Sequence, residues 1–98
     1  MDVVACFKAL SDETRYGIFM KLRSKELCGC DLLVDFDITQ PTLSFHMKKL
    51  IECGLVNGQK DGIWMRYRIN ESMVKEVIVL LEGSLLPVES LCEGKCAS

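Results

Sequence analysis

The chain has 98 residues, 49% of them hydrophobic, and a formal net charge of −2. This length predicts one domain with a modest core. No apolar run reaches the roughly 18 residues of a membrane span. The N-terminus lacks the layout of a signal peptide, so a cytoplasmic protein without a membrane partner is expected. Six cysteines could indicate disulfides, but in a reducing compartment clustered thiols more often bind metals or sense redox state.

The charges are unevenly distributed along the chain. Residues 39–68 carry five basic and two acidic side chains, a net charge of +3, whereas residues 1–38 carry −2 and residues 69–98 carry −3. A basic centre between acidic ends can attract phosphate locally, even in an acidic protein. Nucleic acid therefore remains a candidate partner.

The first part of the chain predicts three helices. Apolar residues at helical spacing indicate a short helix over residues 2–10. Ser11 is expected to cap a second helix that ends near residue 23, and a short third helix is expected at about residues 31–36.

A fourth, longer helix should follow the turn at residues 37–39. Thr39 is a suitable N-cap, Pro41 is tolerated in the first turn, and Gly54 is expected to end the helix. The helix has an apolar stripe at i, i+4, i+7 and i+8 spacing, which predicts its buried face. The stripe consists of Leu43, Met47, Leu50 and Ile51.

A β-hairpin and a last helix complete the predicted domain. Strands are expected over about residues 55–60 and 63–69, joined at Asp61-Gly62, a pair typical of type I′ turns. In the second strand an inward face alternates with polar or aromatic residues. That face consists of Ile63, Met65, Tyr67 and Ile69. The last helix, about residues 71–86, has more than one apolar face, so one face is available for a partner.

The predicted fold class is mainly α with a β-hairpin. The order ααααββα, with a helix-turn-helix directly before the hairpin, is typical of a winged helix-turn-helix protein. Residues 1–86 are expected to form a DNA-binding and dimerisation domain. Residues 87–98 are expected to form a flexible tail that contains two further cysteines.

The fourth helix is the predicted DNA-reading element. Its outer face and N-terminal tip carry side chains that bond bases or phosphates, because Gln pairs with adenine and Lys neutralises phosphate. The wing adds a cation. The candidate DNA-binding residues are Gln40, Thr42, Ser44, Phe45, His46, Lys48, Lys49 and Arg66. Phe45 is either a packing residue or a contact to a thymine methyl group.

Two thiols, Cys28 and Cys30, lie one residue apart directly before the helix-turn-helix. Thiolates favour soft ions, so a ligand held there would lie beside the DNA-reading element and could act as a switch. Residues i and i+2 of a regular helix point in opposite directions. Binding of one ion by both thiols is therefore expected to require a non-helical or unwound helix start.

The ordered set of motifs resembles one family, the ArsR/SmtB bacterial metal-responsive repressors. Residues 7–15 resemble the family's ALSDPTR opening, residues 26–32 (ELCGCDL) resemble the ELCVCDL box of its arsenic- and cadmium-sensing members, and residues 39–50 resemble its SQPTVSHHLKKL recognition helix. The resemblance implies a homodimer, paired through the first and last helices, that binds double-stranded operator DNA. It also implies release of the DNA when ligand binds.

Two positions depart from the family pattern. Leu33 occupies the position of an expected third cysteine, and Phe45 replaces the first histidine of a usual pair. The third thiol is therefore expected from Cys92 or Cys96. The last helix lacks the histidine and aspartate of the family's zinc sensors. Because three thiolates suffice for arsenite or antimonite, As(III) or Sb(III) is the expected inducer, without an organic cofactor.

Other functions compete with an As(III)-responsive repressor. The same thiols could serve a cadmium- or lead-responsive repressor, or a repressor that senses thiol oxidation. An enzyme with a Cys-x-Cys redox pair is disfavoured, because no activating cation is evident beside the pair in the sequence. A winged helix used only for protein interaction would lack salt-dependent DNA binding.

Overall fold

The computed structural model describes residues 2–85. The predicted tail, with Cys92 and Cys96, and the predicted domain boundary at residue 86 lie outside the described residues. The elements in chain order are α1 (Val3–Leu10), α2 (Glu13–Leu22), β1 (Leu27–Cys28), α3 (Gly29–Phe36), α4 (Gln40–Glu52), β2 (Val56–Asp61), β3 (Trp64–Ile69) and α5 (Glu71–Gly83). The predicted winged-helix order is confirmed, with one addition, the two-residue strand β1.

The sheet has three antiparallel strands in the order β1-β3-β2. Strand β1 pairs with β3 through Leu27 opposite Tyr67 and Cys28 opposite Arg66. The wing is therefore joined through backbone pairing to the segment that carries the first thiol of the Cys-x-Cys pair.

The core lies between the helix-turn-helix and the sheet. The predicted stripe on α4 is confirmed at three of its positions, whereas Ile51 is exposed. Ile51 comes at the last turn of α4, where its side chain lies beside the wing at Gly58 rather than in the core. The largest fully buried side chains are Ile18, Leu32, Met47, Leu50 and Val56.

The cap of α2 differs from the prediction. Ser11 has helical dihedral angles and completes α1, so the extended residue before α2 is Asp12. The Asp12 carboxylate accepts a hydrogen bond from the Arg15 backbone N–H at 2.9 Å. This bond is the main reason that the pKa of Asp12 lies below its ordinary value. The caps predicted for α4, Thr39 and Gly54, are confirmed: the Thr39 side chain accepts from the Thr42 N–H, and Gly54 has a φ of +92°.

The hairpin turn is shifted by one residue from the predicted Asp61-Gly62 turn. Asp61 pairs with Trp64, so the two central residues are Gly62 and Ile63. Only Gly62 has a positive φ, +67°, which fits a type II′ turn with glycine first rather than a type I′ turn. Ile63 therefore lies at the tip, 89% exposed, and not on the inward face of β3.

Helices α1 and α5 leave apolar surface uncovered. α5 packs on the core with Met73, Val74 and Val77, but none of its residues is fully buried. The exposed large apolar side chains of the two helices are Val4, Phe7, Ile78, Val79, Leu80 and Leu81. No helix within residues 2–85 combines the length and the apolar character needed to cross a membrane.

Candidate functional site

The first thiol lies at the junction between β1 and α3. Cys28 is extended, with φ −81° and ψ 150°, and is the N-cap of α3, which begins at Gly29, two residues earlier than predicted. Its Sγ accepts a hydrogen bond from the Cys30 backbone N–H at 3.3 Å. In return, the Asp31 carboxylate accepts from the Cys28 N–H at 3.0 Å. These two bonds form a capping box that satisfies donors at the helix start.

Three side chains converge at this helix start. One ligand atom from each of Cys28, Cys30 and Asp31 lies within 4.8 Å of the other two, and no other group of three potential metal ligands occurs within residues 2–85. Cys28 is buried, Cys30 is half-buried and Asp31 is exposed, so the cluster can be reached from solvent.

Cys28 lies at a non-helical helix start, which is one of the two conditions predicted for binding of one ion by both thiols. Because Cys28 precedes the first helical residue, the rule that i and i+2 point in opposite directions does not apply to the two thiols. The thiols already interact: the hydrogen bond with the Cys28 side chain is the largest factor that raises the pKa of Cys30, followed by partial loss of hydration.

The thiol cluster lies where the recognition helix and the wing meet α3. A methyl group added at Gly29 would lie 3.7 Å from Leu43 Cδ2 of α4 and 3.6 Å from Trp64 Cε3 of β3. α3 itself packs on both α4 and β3, and side chains of these two elements line the space beside Gly29 at the start of α3. A change at this helix start can therefore reach both of them by direct contact.

Arg66 of the wing is held beside the cluster. It lies opposite Cys28 in the sheet, and its Nε donates to Glu26 Oε1 at 2.9 Å. Its Nη1 also lies 3.8 Å from the Asp61 carboxylate. The hydrogen bond to Glu26 is the main reason that the pKa of Arg66 is raised. This pairing was missed from the sequence, because Glu26 and Arg66 are 40 residues apart.

The other two cysteines of the described chain form a separate pair. Cys6 on α1 and Cys53 at the end of α4 are both buried, and Cys6 Sγ donates to the Cys53 carbonyl at 3.4 Å. Burial is the main cause that raises the pKa of Cys6, with the neighbouring Cys53 next. Neither thiol belongs to the cluster around Cys28. The cluster member that sequence reasoning missed is Asp31; an acidic residue in the first turn of α3 is the signal that could have indicated it.

Most of the predicted DNA-binding side chains lie on the exposed face of α4. The exposed ones are Gln40, Thr42, Ser44, Phe45, Lys48 and Lys49. His46 differs, because its side chain is only 12% exposed and its Nδ1 lies 3.1 Å from Arg15 Nη1. Arginine has no acceptor atom, so this Nδ1 is the acceptor and the neutral ring carries its proton on Nε2.

The helix-turn-helix, the wing and the exposed polar face of α4 define a winged-helix DNA-binding protein. Residues 12–58 match the family model described as "Bacterial regulatory protein, arsR family". The chain belongs to the ArsR family, whose members are DNA-binding transcriptional regulators.

The comparisons with known proteins agree with this assignment. The chain is 45% identical over 71 residues to the arsenical resistance operon repressor of Staphylococcus aureus, covering 72% of this chain and 68% of that protein. It is 44% identical over 68 residues to the Escherichia coli (strain K12) protein of the same name, covering 68% of this chain and 58% of the relative. A solved ArsR-like transcriptional regulator from Rhodococcus sp. RHA1 superimposes with a TM-score of 0.72 at 30% identity, over 81% of this chain and 74% of that one.

Proposed function

We propose that this chain is a homodimeric transcriptional repressor that binds operator DNA in the cytoplasm. Binding of As(III) or Sb(III) to Cys28 and Cys30 releases it. The observation that carries the proposal is the position of the thiol cluster: it lies at the N-cap of α3, the helix that packs on both α4 and the wing. The arsenical resistance operon repressors among its relatives support the choice of ligand.

The donor set fits a thiophilic ligand. Both thiols lose their protons on binding; with As(OH)3 each proton leaves together with a displaced hydroxide as water. Soft thiolates favour soft ions. A third thiol from Cys92 or Cys96 would complete a trithiolate site. Ligand binding to the double variant Cys92→Ser/Cys96→Ser tests this part: an unchanged As(III) affinity and stoichiometry would contradict a ligand from the tail.

The hydrogen bonds at the helix start provide the route from ligand to DNA. Cys28 Sγ now accepts from the Cys30 N–H, and an electron pair donated to a ligand weakens that cap. The start of α3 then adjusts, and the change passes to α4 and the wing through the packing of α3 on both elements. If the ligand affinities of the two states differ by about 3 kcal/mol, DNA affinity changes by more than about 100-fold, by reciprocal linkage.

The DNA-binding surface consists of the exposed face of α4 and the wing. Lys48 and Lys49 are placed to neutralise phosphates, while Gln40 lies at the helix tip that approaches bases. Thr42, Ser44, Phe45, His46 and Arg66 complete the proposed set. His46 would contribute through the edge of its ring that Arg15 leaves free.

The uncovered apolar faces of α1 and α5 support dimerisation. Exposed apolar patches of this kind mark interfaces, and a second copy pairing the same helices would bury them. Leu80→Glu places a charge in the α5 patch, so we expect a monomer by sedimentation equilibrium and weakened operator binding. A matched change at the exposed Val34 of α3, Val34→Glu, should leave the association state unchanged.

A promoter titration tests the function directly. A fluorescent fragment from the chain's own promoter is bound by the protein, and anisotropy is followed during addition of As(III), Sb(III), Cd(II), Pb(II) or peroxide. Release by As(III) or Sb(III) is expected, together with weaker binding at higher salt. Failure to bind any promoter fragment would contradict repression.

A divalent sensor is the second candidate. The Asp31 carboxylate within the cluster is an oxygen ligand of the kind that divalent cations accept alongside thiolates. In the same titration, release only by Cd(II) or Pb(II) would establish this candidate, and release by peroxide alone would establish a thiol redox sensor.

A further inference from the structure

The exposed aromatic side chain of α4 lies outside the core of the described chain. Phe45 is 53% exposed, whereas the core side of the same helix is formed by Leu43, Met47 and Leu50. Two residues along a helix correspond to a turn of about 200°, so Phe45 points away from the stripe that begins at Leu43. Phe45 is therefore not part of the core, and its ring is available at the surface of α4.

The Phe45 ring lies close to two cations and to a second aromatic ring. Lys49 Nζ lies 5.4 Å from its centroid and the Arg15 guanidinium carbon 6.0 Å. Both are within reach of a cation–π attraction. The His46 ring meets it edge to face, with centroids 5.5 Å apart and an interplanar angle of 64°. Because His46 is itself fixed by Arg15, the ring is positioned before DNA arrives.

We propose that Phe45 reads the 5-methyl group of a thymine in each operator half-site. This inference rests on the proposed operator binding. The ring has no hydrogen-bonding atom, so it cannot pair with the polar edges of bases, and the thymine methyl is the apolar feature of the major groove. Lys49 and Arg15, the two cations beside the ring, are placed to bind the phosphates that flank that base.

Loss of the thymine methyl group is expected to lower DNA affinity modestly, and only at specific positions of the operator. Burial of one methyl group corresponds to about a 4-fold change in affinity. A dimer that makes the contact twice should change by about 15-fold when both thymines lose the methyl group, since separated contacts are close to additive.

Deoxyuridine substitution tests the contact without altering base pairing. The full-length protein is footprinted on its promoter fragment, and each thymine in the footprint is replaced in turn by deoxyuridine, which lacks only the methyl group. Dissociation constants are measured by anisotropy at fixed salt. The wild-type protein should lose about 4-fold at one thymine per half-site, and Phe45→Ala should bind the thymine and uracil duplexes equally.

Two variants separate methyl recognition from phosphate binding. Phe45→Leu keeps an apolar side chain and should retain part of the thymine preference. Lys49→Gln should keep the full preference but reduce the salt dependence by about one phosphate contact. Circular dichroism of each variant verifies the fold, which an exposed side chain should not disturb.

Three results would overturn the inference while leaving operator binding itself intact. An unchanged thymine preference in Phe45→Ala would show that another residue reads the methyl group. Equal binding of thymine and uracil duplexes by the wild-type protein would show that no methyl group is read. A uniform loss on every duplex would assign Phe45 to the positioning of Lys49. If the wild-type protein bound no promoter fragment, operator binding itself would fail, and the inference with it.

Discussion

Two pairs of cysteines in the described chain differ in sequence spacing, in their hydrogen-bond partners and in access to solvent. Cys28 and Cys30 lie two residues apart at a helix start, where one thiol caps the helix and the other is half-buried. Cys6 and Cys53 are 47 residues apart, buried between α1 and α4, and bonded to backbone carbonyls. The first pair has an acidic neighbour and reaches solvent, whereas the second lies in the hydrophobic core.

The comparison indicates that the backbone groups bonded to the sulfurs, and not the number of thiols, distinguish the proposed ligand site from thiols that pack in the core. At the start of α3 the Cys28 sulfur accepts from a backbone N–H, a bond that does not require the proton of the thiol. In the core, both sulfurs donate to backbone carbonyls. The pKa is raised for Cys6 mainly by burial and for Cys30 mainly by its hydrogen bond with Cys28, so access to solvent, and not the pKa, further distinguishes the two pairs.

Alkylation should separate the two pairs most strongly. Cys6 and Cys53 can react only when the domain opens, so we expect them to be modified at least about 1000-fold more slowly than Cys30, given a typical domain stability. Peptide mass spectrometry after timed exposure to iodoacetamide measures each rate. Comparable rates for all described cysteines would contradict the burial of the α1–α4 pair.

Ligand binding should depend on one pair only. Cys30→Ser removes a proposed ligand and should weaken As(III) binding by more than the roughly 100-fold that loss of an outer-shell partner can cause. The matched variant Cys53→Ala should bind As(III) with unchanged affinity. Calorimetric titration of both variants measures the As(III) affinity. An equal loss of affinity in the two variants would contradict a difference between the two cysteine pairs in ligand binding.

Stability at alkaline pH should depend on the buried pair. Cys6 has a pKa above its ordinary value of 9.0 in the folded chain. Its contribution to the free energy of unfolding is therefore fully present below the ordinary value. It declines as pH rises from there towards the folded pKa, because only the unfolded chain then loses the proton.

Cys6→Ala should remove that contribution. The variant should lose less unfolding free energy than the wild type between about pH 8 and pH 10, with a difference of at most about 1.4 kcal/mol per pH unit. Urea denaturation at each pH measures it. A parallel decline in the two proteins would show that Cys6 ionises equally in both states.

The smallest expected effect concerns the cap. Serine keeps a side-chain acceptor at the N-cap and alanine does not, so Cys28→Ala should be less stable than Cys28→Ser by about 1 kcal/mol. Urea denaturation at neutral pH gives both values. Equal stability of the two variants, or a less stable Cys28→Ser, would contradict the capping role of Cys28.

Local signals in the sequence predicted much of the fold. Thr39 and Gly54 set the ends of α4 through their own side-chain and backbone chemistry, and the apolar stripe between them identified the core face at Leu43, Met47 and Leu50. The Cys-x-Cys pair indicated the thiol site, because its ligands are close in sequence. Such features depend on residues that lie within about two helical turns of one another, so they can be predicted from the sequence alone.

Tertiary structure decided the features that depend on distant partners. Strand β1 has only two residues, and it exists because Tyr67 and Arg66 of β3 pair with it. That pairing holds Cys28 extended and brings both thiols together with Asp31 without unwinding.

Packing between distant elements also decides the surroundings of Cys6, Cys53 and Phe45, which the sequence did not indicate. Cys6 meets Cys53 only because α1 packs on the end of α4, and Phe45 is free of the core only because α4 turns its other side inward. The sequence by itself determined which chemical groups the protein has and which local elements carry them. Packing between elements that are far apart in the chain decided which groups meet and which remain exposed to a ligand.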